Sequence, residues 1–189
     1  IQEGQVWFSK QYLEEMLGNL KALAPVLKLP KKYFSEFSDL HAPYTTILQF
    51  AENPDQVREN TNRKFISREL EAYKDYFDQV EKYPLTTAQR EAIVTHEHNT
   101  RVIAGAGSGK TSVIVAKAGY LLKKGFYTPD QILLLAFNRA AADEMQERIE
   151  KSLDVDITAN TFHAVGLRIV AEVEGQKPAL AKVAEDANK

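Results

Sequence analysis

Apolar residues change their spacing near Pro84. Upstream they recur with the period of a helix; downstream, helical spacing alternates with short continuous apolar runs. In the first part Tyr12, Met16, Leu20 and Leu23 share one helical face. A second amphipathic run covers Val57 to Val80, with Phe65, Leu70, Tyr73 and Phe77 near one side, and Asn53-Pro54-Asp55 reads as its start. Pro25, Pro30 and Pro43 are expected to break this part into short elements. Its aromatic residues read as packing rather than chemistry, including the Lys31-Lys32-Tyr33-Phe34 cluster, which reads as a solvated loop with a buried ring.

After Pro84 the pattern predicts a helix from Thr86 to Glu97, capped by Thr86 or Thr87, and a strand from Arg101 to Ala104. A glycine-rich loop and a helix from Ser112 follow, with Gly125 as the stop. Thr128-Pro129-Asp130 is a turn. The unbroken run Ile132 to Phe137 suits a parallel strand covered on both faces. An amphipathic helix is expected over Ala140 to Leu153, a third strand over Ile157 to Phe162, and a helix over Ala164 to Glu174. Strands alternating with helices imply an α/β fold with a parallel sheet of the P-loop type, preceded by a smaller helical region; the textures divide the chain into 1–83 and 84–189.

Composition narrows the classes. The 189 residues suffice for one domain plus an appendage. A net charge of −2 gives no global basic field, so any nucleic-acid contact must come from a local patch. The absence of cysteine excludes disulfides and cysteine-based zinc sites and is compatible with a reducing compartment. No apolar stretch approaches the ~18 residues of a membrane span. Ile1-Gln2-Glu3-Gly4 is neither an initiator methionine nor a signal peptide, so the sequence is expected to come from a longer chain.

The chemistry concentrates in Ala104-Gly105-Ala106-Gly107-Ser108-Gly109-Lys110-Thr111, between an apolar run and a helix. Glycines let the backbone turn so that several N–H groups converge, and a helix N-terminus adds its positive dipole end. That arrangement binds the phosphates of a nucleoside triphosphate: Lys110 reaches the β- and γ-phosphates, and the Thr111 hydroxyl can ligate Mg²⁺. Ala104 stands where the strict P-loop pattern has glycine. Asp143-Glu144 has the letters of a Walker B pair but sits in a helical pattern, not at a strand end. His96 and His98 lie close together without further ligands, so no metal site is read there.

Three more segments flank the loop: Leu85-Thr86-Thr87-Ala88-Gln89-Arg90, Leu135-Ala136-Phe137-Asn138-Arg139-Ala140, and Thr161-Phe162-His163-Ala164. In order and spacing the four segments resemble the amino-terminal end of superfamily 1 DNA helicases of the UvrD/Rep type, and within them the helicase IV branch. The resemblance covers roughly Pro84 to Ala171. It implies that residues 84–189 are the first part of a RecA-like motor domain, with 1–83 as an accessory region. It implies that Gln89 reads adenine, since a side-chain amide can donate and accept at once, and that Ala104 to Ser112 hold ATP. Phe137, Asn138 and Arg139 stand at motif Ia, and Thr161, Phe162 and His163 at motif Ib, where single-stranded DNA is held by phosphate contacts and stacking. The family's motif Ia lysine is missing here, and Arg139 supplies a charge one position earlier. Thr86 replaces the usual asparagine.

The implied activity is an ATP- and Mg²⁺-dependent DNA helicase or translocase of 3′ to 5′ polarity, acting on single-stranded and partly duplex DNA, connected with DNA repair and placed in the cytoplasm. Alternatives are a helicase-like ATPase that remodels a protein complex such as RNA polymerase, and a helicase–nuclease subunit. Phosphoryl transfer also needs a carboxylate for the metal, a group to position water and an arginine finger. Those lie in later motifs of the family and none is visible before Lys189. The chain by itself is therefore expected to turn over almost no ATP.

Overall fold

The computed structural model describes residues 4–29, 34, 38–153 and 155–176. It divides into two compact units, Ile1–Ser108 and Gly109–Lys189.

The first unit is helical. α1 (Lys10–Leu27) begins at Ser9, whose hydroxyl accepts from the Tyr12 amide at 3.1 Å. α2 (Ser38–Glu52), α3 (Pro54–Ala72), α4 (Lys74–Gln79) and α5 (Thr87–Val94) follow. Met16, Leu17, Leu20 and Val57 pack on a cluster of Phe8, Leu13 and Phe50, so the middle of the predicted α1 face is core. Tyr12 and Leu23, at its margins, remain exposed.

Pro25 and Pro43 do not break the chain as expected. Both lie inside helices. A proline costs one main-chain bond and crowds the preceding turn. In α2 the Thr45 and Thr46 hydroxyls donate to the His41 and Ala42 carbonyls at 2.8 and 3.0 Å, in the turn that carries Pro43. Pro30, Lys31, Lys32 and Tyr33 lie outside the described residues. Phe34 stacks on Tyr44 with ring centroids 3.9 Å apart, a packing role.

The run Val57 to Val80 is two helices that meet at Tyr73, which ends α3 and opens α4. Phe65 and Phe77 are buried there. Asn62, buried on α3, brackets the backbone of one residue of the amino-terminal segment. The Phe8 N–H donates to Asn62 Oδ1 at 2.7 Å, and Asn62 Nδ2 donates to the Phe8 carbonyl at 3.0 Å. Arg58 Nε donates to the same carbonyl at 3.1 Å and its guanidinium pairs with Glu97. Glu97 also accepts from the Trp7 indole N–H at 3.2 Å and the Lys10 amide at 3.0 Å.

Those bonds explain why α5 ends at Val94 and not at the expected Glu97. Thr95 turns to extended backbone, its hydroxyl donates to the Glu91 carbonyl at 2.8 Å, and Glu97 faces Arg58 and Trp7.

The second unit contains α6 (Lys110–Lys123), a 3₁₀ turn (Pro129–Gln131), β1 (Leu134–Ala136), α7 (Arg139–Ser152), β2 (Ala159–Thr161) and α8 (Phe162–Glu174). α6 stops in a Schellman arrangement: Gly125 N–H donates to the Leu122 carbonyl at 2.9 Å and Phe126 N–H to the Leu121 carbonyl at 3.0 Å. β1 and β2 pair in parallel, with Leu134 opposite Ala159 and Ala136 opposite Thr161. Ala142, Met145 and Ile149 of α7 are buried, as are Val113, Val115, Ala116 and Tyr120 of α6.

Both strands are shorter than the segments expected for them, and the strand expected at Arg101–Ala104 is absent, with Ile103 90% exposed. An apolar run becomes a parallel strand only where neighbours supply hydrogen bonds and helices cover both faces. Among the described residues the sheet has two strands. Leu133 and several apolar residues of α8 are exposed. The described chain is thus mostly helical with a small parallel sheet, compatible with a partial α/β domain. No helix among the described residues is long and apolar enough to cross a membrane.

Candidate functional site

The glycine-rich segment begins as a turn. The Ser108 amide donates to the Gly105 carbonyl at 3.4 Å, and the Ser108 hydroxyl donates to the same oxygen at 2.7 Å. Gly107 has φ 71°, which is the third-residue conformation of a type II turn and excludes ordinary side chains. A Cβ at Gly105 or Gly107 would meet nothing within 4 Å, so the turn is open on that side. Ala104 is half-buried and Ala106 exposed.

Gly109, at φ 80°, is the N-cap of α6 and has no side chain to cap it. Lys110, Thr111 and Ser112 are the first three residues of that helix, Lys110 exposed and the other two half-buried. Without a capping side chain the first amides of a helix are suited to an anion. The expected helix start at Ser112 is therefore two residues late: Lys110 and Thr111 project from the helix itself.

Gln89 is built into the N-terminus of α5. Its amide nitrogen donates to the Thr86 hydroxyl at 3.4 Å while its side-chain oxygen accepts from the Thr86 N–H at 2.8 Å, a reciprocal capping box. The side-chain Nε2 donates to the Ser108 carbonyl at 3.0 Å. The structure thus joins Gln89 to the glycine turn. A primary amide has a second N–H and a second lone pair beyond these two bonds.

In the second unit, the two sheet motifs meet. Parallel pairing of Ala136 with Thr161 sends Phe137 to Arg139 and Phe162 to His163 from the same carboxyl edge, the edge at which open α/β sheets take ligands. Asn138 and Thr161 each cap the next helix: Asn138 Oδ1 accepts from the Ala141 amide at 2.8 Å, and the Thr161 hydroxyl from the Ala164 amide at 3.2 Å. Phe137 and Phe162 are 90% and 64% exposed, and His163 is exposed. Arg139 pairs with Asp143 at 3.4 Å on the solvent side of α7, an exposed contact worth at most ~0.5 kcal/mol. A groove of about 280 Å³ runs between α7 and β2, lined by Arg139, Gln146, Asn160 and Thr161 among others. Asp143 and Glu144 lie inside α7, away from a strand end.

Sequence reading missed two charged groups in this unit. Arg148, on α7, donates from Nη1 to the Ser112 hydroxyl at 3.0 Å and from Nη2 to Glu144 at 3.0 Å. The i, i+4 pair with Glu144 is visible in the sequence; the reach to Ser112 requires the packing of α6 on α7. Lys117, in α6, is half-buried, and burial pulls its ammonium down to about 8.

An unfolded lysine titrates near ~10.4, so between about pH 8 and that value the unfolded chain holds a proton the folded chain has released, and stability rises with pH. Below about 8 the cost of burying the charge is fully present. Replacing Lys117 with methionine is expected to raise stability at pH 7 by about 1 kcal/mol, a gain that fades by about pH 10.5. Chemical denaturation at several pH values checks this; a gain that is constant with pH would contradict it.

The UvrD/REP helicase N-terminal domain model matches residues 85–182. DNA helicase IV of Escherichia coli (strain K12) is 39% identical over 181 residues, 95% of this chain and 26% of that protein. ATP-dependent DNA helicase Rep of Buchnera aphidicola is 39% identical over 90 residues, 46% of this chain and 14% of that protein. ATP-dependent DNA helicase PcrA of Bacillus subtilis is 39% identical over 89 residues, 46% of this chain and 12% of that protein. The chain therefore spans about a quarter or less of the length of these curated relatives. With its glycine turn, its uncapped α6 and two aromatic motifs on one sheet edge inside the matched residues, the chain belongs to the UvrD/REP helicase N-terminal domain family.

Proposed function

We propose that this chain is the ATP-binding front part of a DNA helicase that moves 3′ to 5′ on single-stranded DNA. The observation that carries the reading is the glycine turn running into the uncapped N-terminus of α6, within residues matched by the helicase family. Lys110 and amides of the 105–109 segment other than that of Ser108, which is given to the Gly105 carbonyl, hold the triphosphate, and Gln89 selects adenine with the part of its amide that Thr86 and Ser108 leave available. Mg²⁺ fits the half-buried Thr111 hydroxyl, a hard oxygen donor beside the phosphates. When bound, it neutralises charge developing on the phosphoryl oxygens. Residues 84–189 form the first part of a RecA-like motor domain, and 1–83 an accessory region.

Single-stranded DNA lies along the carboxyl edge of β1 and β2. Phe137 and Phe162 offer ring faces to bases, and Arg139 and Thr161 contact phosphates. His163 borders the same edge. Phosphate contacts position the strand without reading sequence, as a translocating enzyme requires.

The test uses the intact protein, ATP, Mg²⁺ and a partial duplex. Unwinding from a 3′ single-stranded tail, and not from a 5′ tail, is the expected result. ATP turnover without strand separation would point instead to remodelling of a protein complex.

A further inference from the structure

We infer that Arg148 is a positioning residue that links the DNA-facing start of α7 to the nucleotide-facing start of α6. The inference rests on the nucleotide and DNA reading above and adds a means of regulation to it. α7 begins at Asn138 and Arg139, on the proposed DNA edge. Nine residues later, about 13 Å along the helix axis, Arg148 reaches Ser112, the residue after Thr111.

The sign of the charge is what marks this contact. Ser112 is in the first turn of α6, where the helix dipole favours an anion and disfavours a cation. A residue chosen only to steady that turn would be an acceptor. Arg148 instead brings a guanidinium there, and Glu144 on its own helix holds the other nitrogen at 3.0 Å. The planar fork fixes both bonds at once, so a shift of α7 moves the guanidinium with it. Through Ser112 the guanidinium also sets where Thr111 sits in the first turn. DNA engaged at Arg139 and Asn138 then adjusts the Mg²⁺-side hydroxyl by way of one rigid helix and one hydrogen bond.

The experiment measures ATP turnover by the intact protein with and without a single-stranded oligodeoxythymidylate. Arg148→Ala is expected to leave DNA-free turnover within about twofold and to lower DNA stimulation about tenfold, the range of coupling between two sites. Arg148→Lys keeps a donor for Ser112 but loses the fork, and gives intermediate stimulation. Adding Ser112→Ala to Arg148→Ala lowers stimulation no further, because both remove the same bond.

Equal losses with and without DNA would mean that Arg148 only supports the fold, and would overturn the inference while leaving the proposed function standing. Full stimulation in Arg148→Ala, or in a folded Arg148→Lys should the alanine variant fail to fold, would overturn it as well. A wild-type protein without ATP turnover under either condition would remove the functional reading and the inference together.

Discussion

Lys110→Ala in the intact protein is expected to lower ATP turnover by about a thousandfold, or about 4 kcal/mol of transition-state stabilisation. Phosphoryl transfer leaves the protein little covalent chemistry to perform, so its rate depends on positioning and on neutralising charge spread over the γ-phosphoryl oxygens. Lys110 supplies a full positive charge at a helix terminus whose amides supply only partial ones. Its exposure argues that the substitution spares the fold, so thermal unfolding should coincide with wild type. Lys110→Arg should recover little, because a guanidinium is broader than the point charge a phosphate cradle admits. Comparable turnover by wild type and Lys110→Ala, measured on the same preparation with Mg²⁺, would sink the nucleotide assignment.

Local rules made much of this chain legible, and contacts between distant residues account for the rest. The cap at Thr86, the stop at Gly125, the start at Asn53-Pro54 and the helices after Phe137 and Thr161 depend on a few neighbouring residues, and the structure has them. The strand at Arg101–Ala104 depends on partners elsewhere, and an apolar run cannot say whether they are present. Glu97 looked like the tail of a helix because nothing within ten residues discloses Trp7 or Arg58. Pro43 misled because a proline removes a single main-chain bond, and the helix from Ser38 to Glu52 continues past it. At the site, the motif residues were readable by type and spacing. Their second duties were not: Asn138 and Thr161 serve as caps, Gln89 is tied to Ser108, and Arg148 is aimed at Ser112.

The capping duties decide how the DNA edge should be tested. Asn138→Ala or Thr161→Ala would remove a helix cap along with any DNA contact, at about 1 kcal/mol of stability each, so binding losses there would be ambiguous. Among the described residues neither Phe137 nor Phe162 caps a helix by its side chain, and both rings are exposed. Phe137→Ala and Phe162→Ala should each weaken binding of single-stranded DNA by about 1–3 kcal/mol, the worth of one base stacked on a ring. Stacking releases no counterions, so the dependence of affinity on salt should keep the wild-type slope in both variants. Arg139→Ala provides the contrast. Among the described residues its guanidinium pairs with Asp143 in an exposed contact, and its loss should flatten the salt slope by about one unit while costing less at high salt. Fluorescence anisotropy with an oligodeoxythymidylate across a salt series separates the two kinds of contact. If the phenylalanine variants bind as wild type while Arg139→Ala changes the slope, the strand crosses this edge by its phosphates alone; if none of the three differs, DNA does not cross it.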